Sequence, residues 1–415
     1  MSATLPSAAA SPVVAAVTMG YGHLRAAAAI ADELGVELAL ADRAPLASWA
    51  ERRLWGAART GYHALSRLSQ SRRGSAVFGS VLDRITVIDG RAPGSRTPGA
   101  VRALDRLVRL GLGATFGRRL TEASSPLVTT FYAVALAAER HSPVPVACVV
   151  TDSDIHRVWA PARPATSRVR YLVPAPGTAD RLRSYGVDAG AITVTGFPLP
   201  PELVGGDDLE ALHGNLEARL LRLRRRSGPL AIVVAIGGAG AHADRAVHLA
   251  RELEDRLADG RLRLTLAAGT RTDVAARFRQ RLATGLTPAA ARAVDVLHEP
   301  RFDDAYRGFN RVLAAADALW TKPSELVFYG ALGLPLILEP PVGDHERRNR
   351  ELVVAAGVAV DRPAAGGVGP WLDGRLGGGW FAEAACRGPE NLHPGGARAI
   401  AGFVSRELYG RFTRP

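Results

Sequence analysis

One stretch of the sequence carries residue types that could bind an anion. Lys322 is the only lysine among 52 lysine and arginine residues, and it stands in a Lys-Pro turn after a short apolar run. A lysine ammonium is a compact point charge, whereas an arginine guanidinium is a planar fork. The retention of one lysine at this turn therefore indicates that a ligand needs a point charge there. An ordinary surface lysine is the alternative interpretation.

The elements around this lysine would place it at a ligand-binding edge. The apolar run Ala318–Lys322 predicts a strand, Ser324 is a candidate N-cap for the helix that follows, and Gly333 can end that helix. Leu334–Leu338 predicts a second strand, and a further helix is predicted over about 345–356. Helix N-termini that emerge at the carboxyl ends of parallel strands favour anions.

The composition predicts a soluble globular protein. The chain has 415 residues, 47% of them apolar, so two domains of about 150–200 residues are expected. There is no apolar run of about 18 residues, and no transmembrane helix is predicted. The N-terminus lacks the basic start of a secretory signal, and two cysteines, Cys148 and Cys386, make no disulfide framework. We therefore expect a cytoplasmic protein.

Positive charge is concentrated in the N-terminal part of the chain. The formal net charge is +12, and the segment 46–120 interleaves arginines with tryptophans, as in Trp49, Arg52, Arg53 and Trp55. This pattern is typical of an interfacial helix on anionic lipid and predicts peripheral contact with the inner face of the plasma membrane. A helix packed on its domain with a solvated arginine face is the alternative. Nucleic acid is the least favoured partner, because no nucleic-acid-binding module is visible.

Alternating apolar runs and helical segments predict an α/β fold with two doubly wound, Rossmann-like domains. The predicted strands of the N-terminal half are Val13–Met19, Val36–Ala41, Pro126–Phe131, Val144–Thr151, Val169–Val173 and Ile192–Thr195. Those of the C-terminal half are Leu230–Ile236, Leu262–Ala267, Val294–His298, Ala318–Lys322, Leu334–Leu338 and a run that ends at Val360. The chain after Pro363 is rich in glycine, and only a final helix near 396–409 is predicted there.

The predicted domains follow these two halves. The N-terminal domain spans 1–200 and includes the basic, aromatic insertion at 46–120. A linker at 201–228 leads to the C-terminal domain at 229–390. The last segment, 391–415, is predicted to be a helix that returns to the N-terminal domain.

A glycine loop follows the first predicted strand of each half. The first loop holds Gly20 and Gly22, and the second holds Gly237, Gly238 and Gly240. Glycines allow tight turns and a close approach of the backbone to a ligand. The first loop is not the full dinucleotide-binding fingerprint, because positions 25–29 hold no third glycine.

Two motifs of the N-terminal half are GYGHLRAA at Gly20–Ala27 and TDSDIHRVWAP at Thr151–Pro161. They resemble motifs of GT-B glycosyltransferases, in particular monogalactosyldiacylglycerol synthases, processive diacylglycerol glucosyltransferases and MurG-type N-acetylglucosaminyltransferases. The first is similar to the first loop of that group, and the second to a segment of the lipid enzymes. The sequence GFP at 196–198 resembles the Gly-x-Pro before the family's interdomain linker. FDDAYRGFNRVLAAADALWTKP and PPVGDHERRNRELVVAAG resemble the donor-site blocks.

The resemblance implies a GT-B fold, in which two Rossmann-like domains face a cleft. It also implies a metal-independent, inverting hexosyltransferase with a nucleotide-sugar donor, a UDP-sugar, and no separate cofactor. The acceptor would be a lipid or a small molecule. The implied donor-binding residues are Gly237, Gly238, Gly240, Lys322, Ser324, Glu325, Gly343, Asp344, His345, Glu346 and Asn349.

Histidine and aspartate are the candidate catalytic residues of the N-terminal half. His23 opens the helix after the first glycine loop, where a neutral imidazole can accept a proton, and Asp152 is the rival base. The acceptor-side candidates are Gly20, Gly22, His156 and Trp159. No metal site is predicted, although Asp152, Asp154 and His156 are close in the sequence.

The chain departs from the family after its lysine. Phe328, Tyr329 and Gly330 lie where the family has a glutamate that holds the donor ribose, and Glu325 is the candidate replacement. A nucleotide-sugar epimerase of the same fold and a non-catalytic binding protein are therefore alternative predictions.

Overall fold

The structure of the protein is a computed structural model that describes residues 11–57, 98–226, 228–235, 243–363 and 367–409. The described residues form two compact units. The first unit is drawn from Met1–Pro201, Gly343–Arg348 and Gly395–Pro415, and the second from Glu202–Val342 and Asn349–Pro394.

Each unit is built on a parallel sheet, and its described residues supply six strands in each case. The strands of the first unit are β1 (Val13–Ala16), β2 (Leu38–Leu40), β3 (Leu127–Thr129), β4 (Val146–Val149), β5 (Arg170–Val173) and β6 (Ile192–Val194). Those of the second are β7 (Leu230–Ala235), β8 (Leu262–Gly269), β9 (Val294–His298), β10 (Ala318–Thr321), β11 (Leu336–Leu338) and β12 (Ala359–Asp361). The orders are β2-β1-β3-β4-β5-β6 and β12-β11-β10-β7-β8-β9, which confirms the predicted α/β class with two Rossmann-like sheets.

Helices connect the strands, as parallel pairing requires. The helices of at least eight residues are α1 (Tyr21–Leu34), α2 (Gly99–Arg109), α3 (Ala114–Ala123), α4 (Tyr132–His141), α5 (Pro176–Ser184), α6 (Glu210–Arg225), α7 (Ala243–Glu252), α8 (Thr272–Gly285), α9 (Phe302–Ala315), α10 (Asp344–Ala355), α11 (Val368–Gly377), α12 (Trp380–Asn391) and α13 (Gly396–Phe403). Shorter α-helical turns are Pro201–Val204, Glu254–Ala258 and Pro288–Ala291, and residues 49–57 are also helical. The 3₁₀ segments are Arg157–Trp159, Pro164–Thr166, Ala189–Ala191 and Glu325–Leu332, and a π-helix covers Val404–Tyr409.

The apolar strands are buried on both faces, which is why they read as continuous apolar runs rather than alternating ones. All four residues of β1 and all four of β4 are buried. The alanines of α1 at 26–29 and at 31 are buried, and such small side chains allow a helix to approach its neighbours closely. In the described ranges, no helix combines the length and the hydropathy that a membrane crossing requires.

Two local predictions about the second unit were wrong. The segment after Ser324 is a 3₁₀-helix, and the Ser324 side chain makes no capping hydrogen bond. Burial of every residue from Leu326 to Leu332 outweighs the local preference for a capped α-helix. The glycine-rich chain after Pro363 forms α11 and α12, where the Trp371 ring packs 6.5 Å from the Trp320 ring.

A buried arginine fixes the ends of the chain segment that contains Lys322. The side chain of Arg219, on α6, is 1% exposed. Its Nε donates to the carbonyl of Ala316 at 2.7 Å, and its Nη1 donates to the carbonyls of Leu332 and Gly333 at 3.1 and 3.0 Å. These carbonyls follow α9 and end the 3₁₀ segment, so one guanidinium satisfies acceptors that a helix end leaves without intrahelical partners.

Candidate functional site

His23 lies in the first turn of α1, at the carboxyl edge of the first sheet. The Thr130 hydroxyl donates to the His23 carbonyl at 2.8 Å, and the Thr151 hydroxyl lies 3.4 Å from His23 Nδ1. The rings of Phe131 and Trp159 lie 4.9 and 6.0 Å from the imidazole, between ring centroids. Residues that follow β3 and β4 therefore hold both the backbone and the ring of this histidine.

This environment allows His23 to act as a base. When Nδ1 carries the proton and donates to Thr151, Nε2 has a lone pair available for an incoming hydroxyl proton. His23 is half-buried, so its ring is not completely shielded from a ligand. Gly20 precedes the helix with φ of +93°, a conformation that side-chain-bearing residues rarely adopt.

A carboxylate that the sequence analysis did not assign shapes the first glycine loop. Asp42 follows β2 and is 5% exposed. Its two carboxylate oxygens accept from the backbone N–H of Thr18 at 3.1 and 3.2 Å, and the Thr18 hydroxyl also donates to it. Asp42 therefore fixes the turn that leads into α1. The available signal was an acidic residue directly after a buried apolar run.

Side chains of α5 and its C-terminal end hold the predicted acceptor-side loop 152–159. Arg181 donates to both carboxylate oxygens of Asp154, at 2.8 and 3.0 Å, and the Tyr185 hydroxyl donates to the Ile155 carbonyl at 2.8 Å. Both oxygens of Asp154 are thus engaged by an arginine. Within the described residues, no group of three or more His, Cys, Asp or Glu side chains is arranged to hold a metal ion.

Two histidines face each other beside this loop. The rings of His156 and His345 lie 5.6 Å apart in a T-shaped arrangement, and neither Nδ1 has a hydrogen-bond partner in the described part of the chain. Burial, followed by the proximity of His345, lowers the pKa of His156 from 6.5 to about 4, against the opposing effect of Asp152, Asp344 and Asp154. His156 is therefore neutral at physiological pH.

In the second unit, Lys322 follows the last paired residue of β10. Thr321 pairs with Leu338 of β11 and with Ala235 of β7, and its hydroxyl donates to the Ala235 carbonyl at 2.9 Å. The buried amide of Asn349 donates to the Pro323 carbonyl at 3.2 Å. The turn that contains Lys322 is therefore fixed from both sides at the carboxyl edge of the second sheet.

The remaining predicted donor residues are distributed between the two units. Ser324 and Glu325 follow the Lys-Pro turn and are half-buried, whereas Glu346 is 2% exposed. Gly343, Asp344, His345 and Glu346 group with the first unit, and Asn349 groups with the second. Gly237, Gly238 and Gly240 lie outside the described residues.

Solved structures of similar architecture provide a comparison. MurG of Acinetobacter baumannii is 14% identical over 95% of this chain and 99% of its own, with a TM-score of 0.51. The S. aureus MnaA–UDP structure is 12% identical over 97% and 99%, with a TM-score of 0.52. A Listeria monocytogenes protein assigned as a UDP-N-acetylglucosamine 2-epimerase is 13% identical over 98% and 98%, with a TM-score of 0.51.

The chain has a GT-B fold. The likeness extends over nearly the whole of both chains in each pair, so it includes both sheets. At identities of 12–14%, the likeness shows the GT-B architecture alone and does not assign a reaction to this chain. No protein-family model matches the sequence, and no curated protein does.

This GT-B chain has a charged cluster at the carboxyl edge of its second sheet that the sequence analysis did not assign. Glu339 follows β11 and is 2% exposed. Its Oε1 accepts from Trp320 Nε1 at 2.9 Å and from Arg362 at 3.2 Å, and its Oε2 lies 3.5 Å from Arg245 Nη1. As with Asp42, the sequence signal was a carboxylate directly after an apolar strand.

Proposed function

We propose that this chain is a glycosyltransferase that moves a hexose from a nucleoside diphosphate sugar to an acceptor hydroxyl. The observation that carries the proposal is the placement of His23, whose backbone is bonded by Thr130 and whose Nδ1 lies beside Thr151. An imidazole held in this way at the carboxyl edge of a parallel sheet suits a general base, because open α/β sheets bind their ligands at that edge.

In the proposed reaction, the acceptor oxygen attacks the anomeric carbon of the donor while its proton passes to His23 Nε2. The bond between the anomeric carbon and the diphosphate oxygen breaks, and its electron pair leaves with the diphosphate. Attack opposite to the leaving group inverts the anomeric configuration. Asp152 is the rival base, and protein groups alone carry the reaction.

Charge develops on the leaving diphosphate, and Lys322 is the proposed cation that stabilises it. Lys322 stands at the carboxyl end of β10, in a turn that Asn349 anchors through Pro323. A positive charge fixed in advance costs little reorganisation during the reaction. The proposed donor nucleotide is UDP, in keeping with the UDP named for the S. aureus structure.

The proposed acceptor is a lipid-linked hydroxyl at the inner face of the plasma membrane. Among the described residues between 49 and 110, four large apolar side chains are exposed: Trp49, Leu54, Leu107 and Leu110. Trp49 and Leu110 are 65% and 75% exposed, and the Arg53 guanidinium lies 4.8 Å from the Trp49 ring centroid. Exposed apolar side chains among arginines favour an anionic lipid surface. Those arginines of the basic insertion that stand between 58 and 97 lie outside the described residues.

A nucleotide-sugar epimerase is the second candidate. The likeness to the Listeria monocytogenes protein over 98% of both chains supports it to the same degree as the likeness to MurG supports a transferase. An epimerase would convert its nucleotide sugar without any acceptor. A transferase would consume the donor at a rate that depends on the acceptor.

One experiment separates the proposal from both alternatives. Thermal stabilisation by a panel of nucleotide sugars identifies the donor, and that donor is then incubated with and without lipid acceptors. The proposal expects acceptor-dependent release of the nucleoside diphosphate, with His23→Ala still binding the donor. Epimerised donor in the absence of acceptor would establish the second candidate instead. Donor binding without any turnover would indicate a non-catalytic protein.

A further inference from the structure

The carboxyl edge of the second sheet carries a row of charged residues on neighbouring strands. Thr321, Leu338 and Asp361 lie on one rung of β10, β11 and β12. The backbone N–H of Glu339 donates to the Thr321 carbonyl at 2.9 Å, and that of Arg362 donates to the Leu338 carbonyl at 3.0 Å. The ladder therefore continues one residue further, and adjacent strands lie about 4.8 Å apart. Lys322, Glu339 and Arg362 are consecutive along this edge.

Glu339 is a buried carboxylate, which is unfavourable without compensating partners. Its carboxylate is 2% exposed, and burial of a charge is strongly unfavourable unless hydrogen-bond and ion-pair partners compensate. Three donors compensate here: the indole of Trp320, the guanidinium of Arg362 and the guanidinium of Arg245. The Trp320 side chain is completely buried, so it fixes the carboxylate in one orientation.

The two arginines keep access to solvent while Glu339 holds them. The Arg245 side chain is 48% exposed and that of Arg362 is 20% exposed, against 2% for Glu339. Arg245 lies in the first turn of α7, whereas Arg362 follows β12, so one carboxylate gathers guanidinium groups from two separate elements. Each guanidinium has five N–H donors, and Glu339 uses only part of them.

We infer that Glu339 is a positioning residue that presents Arg245 and Arg362 to the diphosphate of the donor, beside Lys322. This inference rests on the proposed binding of a nucleoside diphosphate sugar. The ligand class at this edge is a diphosphate ester, which guanidinium groups bind through paired N–H donors. Arg245 and Arg362 are the binding residues, and Glu339 acts only through them.

Glu339 could act on a bound diphosphate through its negative charge alone or by positioning the two arginines. The two roles predict opposite results for the substitution Glu339→Gln. Glu339→Gln removes a negative charge and keeps an amide oxygen for the Trp320 indole. If only net charge mattered, this variant would bind a diphosphate more tightly. Since the inference makes Glu339 the anchor of two arginines, it expects weaker binding, by about threefold to tenfold.

The experiment measures the dissociation constants of UDP, pyrophosphate and uridine by calorimetry for the full chain. Arg245→Ala is expected to weaken UDP and pyrophosphate by about tenfold and to leave uridine unchanged. Arg279→Ala, at an exposed position of α8, is the matched control and should change none of the three. In the double variant Arg245→Ala/Arg362→Ala, adding Glu339→Gln should have no further effect on UDP.

The outcomes distinguish this inference from the function on which it rests. If the wild-type chain binds UDP, and Arg245→Ala and Arg362→Ala bind it with the same affinity, the inference is overturned and the proposed function stays intact. Tighter UDP binding by Glu339→Gln also overturns it. A wild-type chain that binds neither UDP nor pyrophosphate removes the proposed function and this inference together. Melting temperatures of each variant separate a loss of binding from a loss of folding.

Discussion

The imidazole rings of His156 and His345 lie 5.6 Å apart, and each Nδ1 is buried without a hydrogen-bond partner within the described residues. Protonation of His156 would place a charge beside the His345 ring and at a site with little access to water. Burial, followed by the proximity of His345, therefore lowers the pKa of His156, against the opposing effect of the carboxylates of Asp152, Asp344 and Asp154.

The first prediction concerns the pH dependence of stability. The pKa of His156 is about 4 in the folded chain and 6.5 in the unfolded chain, so the unfolded state binds more protons between these values. The free energy of unfolding should fall as the pH falls from 6.5 to 4, by up to about 3 kcal/mol. Denaturant unfolding at a series of pH values measures this slope. His156→Asn should flatten it, whereas His213→Asn, at an exposed position of α6, should not.

The second prediction concerns the proposed base. His23→Ala should lower the rate of sugar transfer by about 10²–10⁴-fold, because general-base catalysis contributes that amount. Donor affinity should stay within about twofold. Thr151→Val removes the partner of Nδ1 and should cause a smaller loss of rate. Transfer kinetics at saturating donor measure both effects, and an unchanged rate in His23→Ala would assign the base to another residue such as Asp152.

The third prediction concerns the solitary lysine. Lys322→Ala should abolish detectable transfer while the melting temperature changes little, because the turn is held by Asn349 through the Pro323 carbonyl. Lys322→Arg should not restore full activity, since a guanidinium is larger and planar and cannot replace a compact ammonium. Full activity of Lys322→Arg would indicate that any positive charge suffices at this turn.

The fourth prediction concerns the membrane surface. Trp49→Ser with Leu110→Ser should reduce flotation with anionic vesicles, and Arg52→Gln with Arg53→Gln should reduce it more strongly at low salt than at high salt. Leu221→Ser is the matched control, because Leu221 is 48% exposed on the second unit. Equal flotation of all variants would restrict membrane contact to other segments or exclude it.

The fifth prediction concerns the buried arginine of the second unit. Arg219→Met should lower the free energy of unfolding by at least about 3 kcal/mol, because it leaves the carbonyls of Ala316, Leu332 and Gly333 without a donor. Arg219→Lys should rescue little of this loss, since one ammonium cannot reach carbonyls arranged for a planar fork. Arg279→Ala, on the surface of α8, provides the comparison in the same unfolding assay.

The strands and most helices of both units could be predicted from the sequence, because a buried parallel strand is a continuous apolar run with clear ends. The predicted strand Val294–His298 coincides with β9, and the predicted helix over about 345–356 lies within a residue of α10. The helices α11 and α12 were missed, because glycines lower helix propensity and burial against Trp320 and its neighbours compensates.

By itself, the amino-acid sequence determined the fold class, the two sheets, and Lys322 and His23 as candidates, because periodicity and a unique residue are properties of the chain alone. Only the tertiary structure decided which distant side chains contact the segments around these candidates. Asp42 reaches Thr18 across 24 positions, and Glu339 gathers Arg245 and Arg362 from separate elements. Such partners are distant in the sequence and meet only when parallel strands align their carboxyl ends, so no local pattern could reveal them.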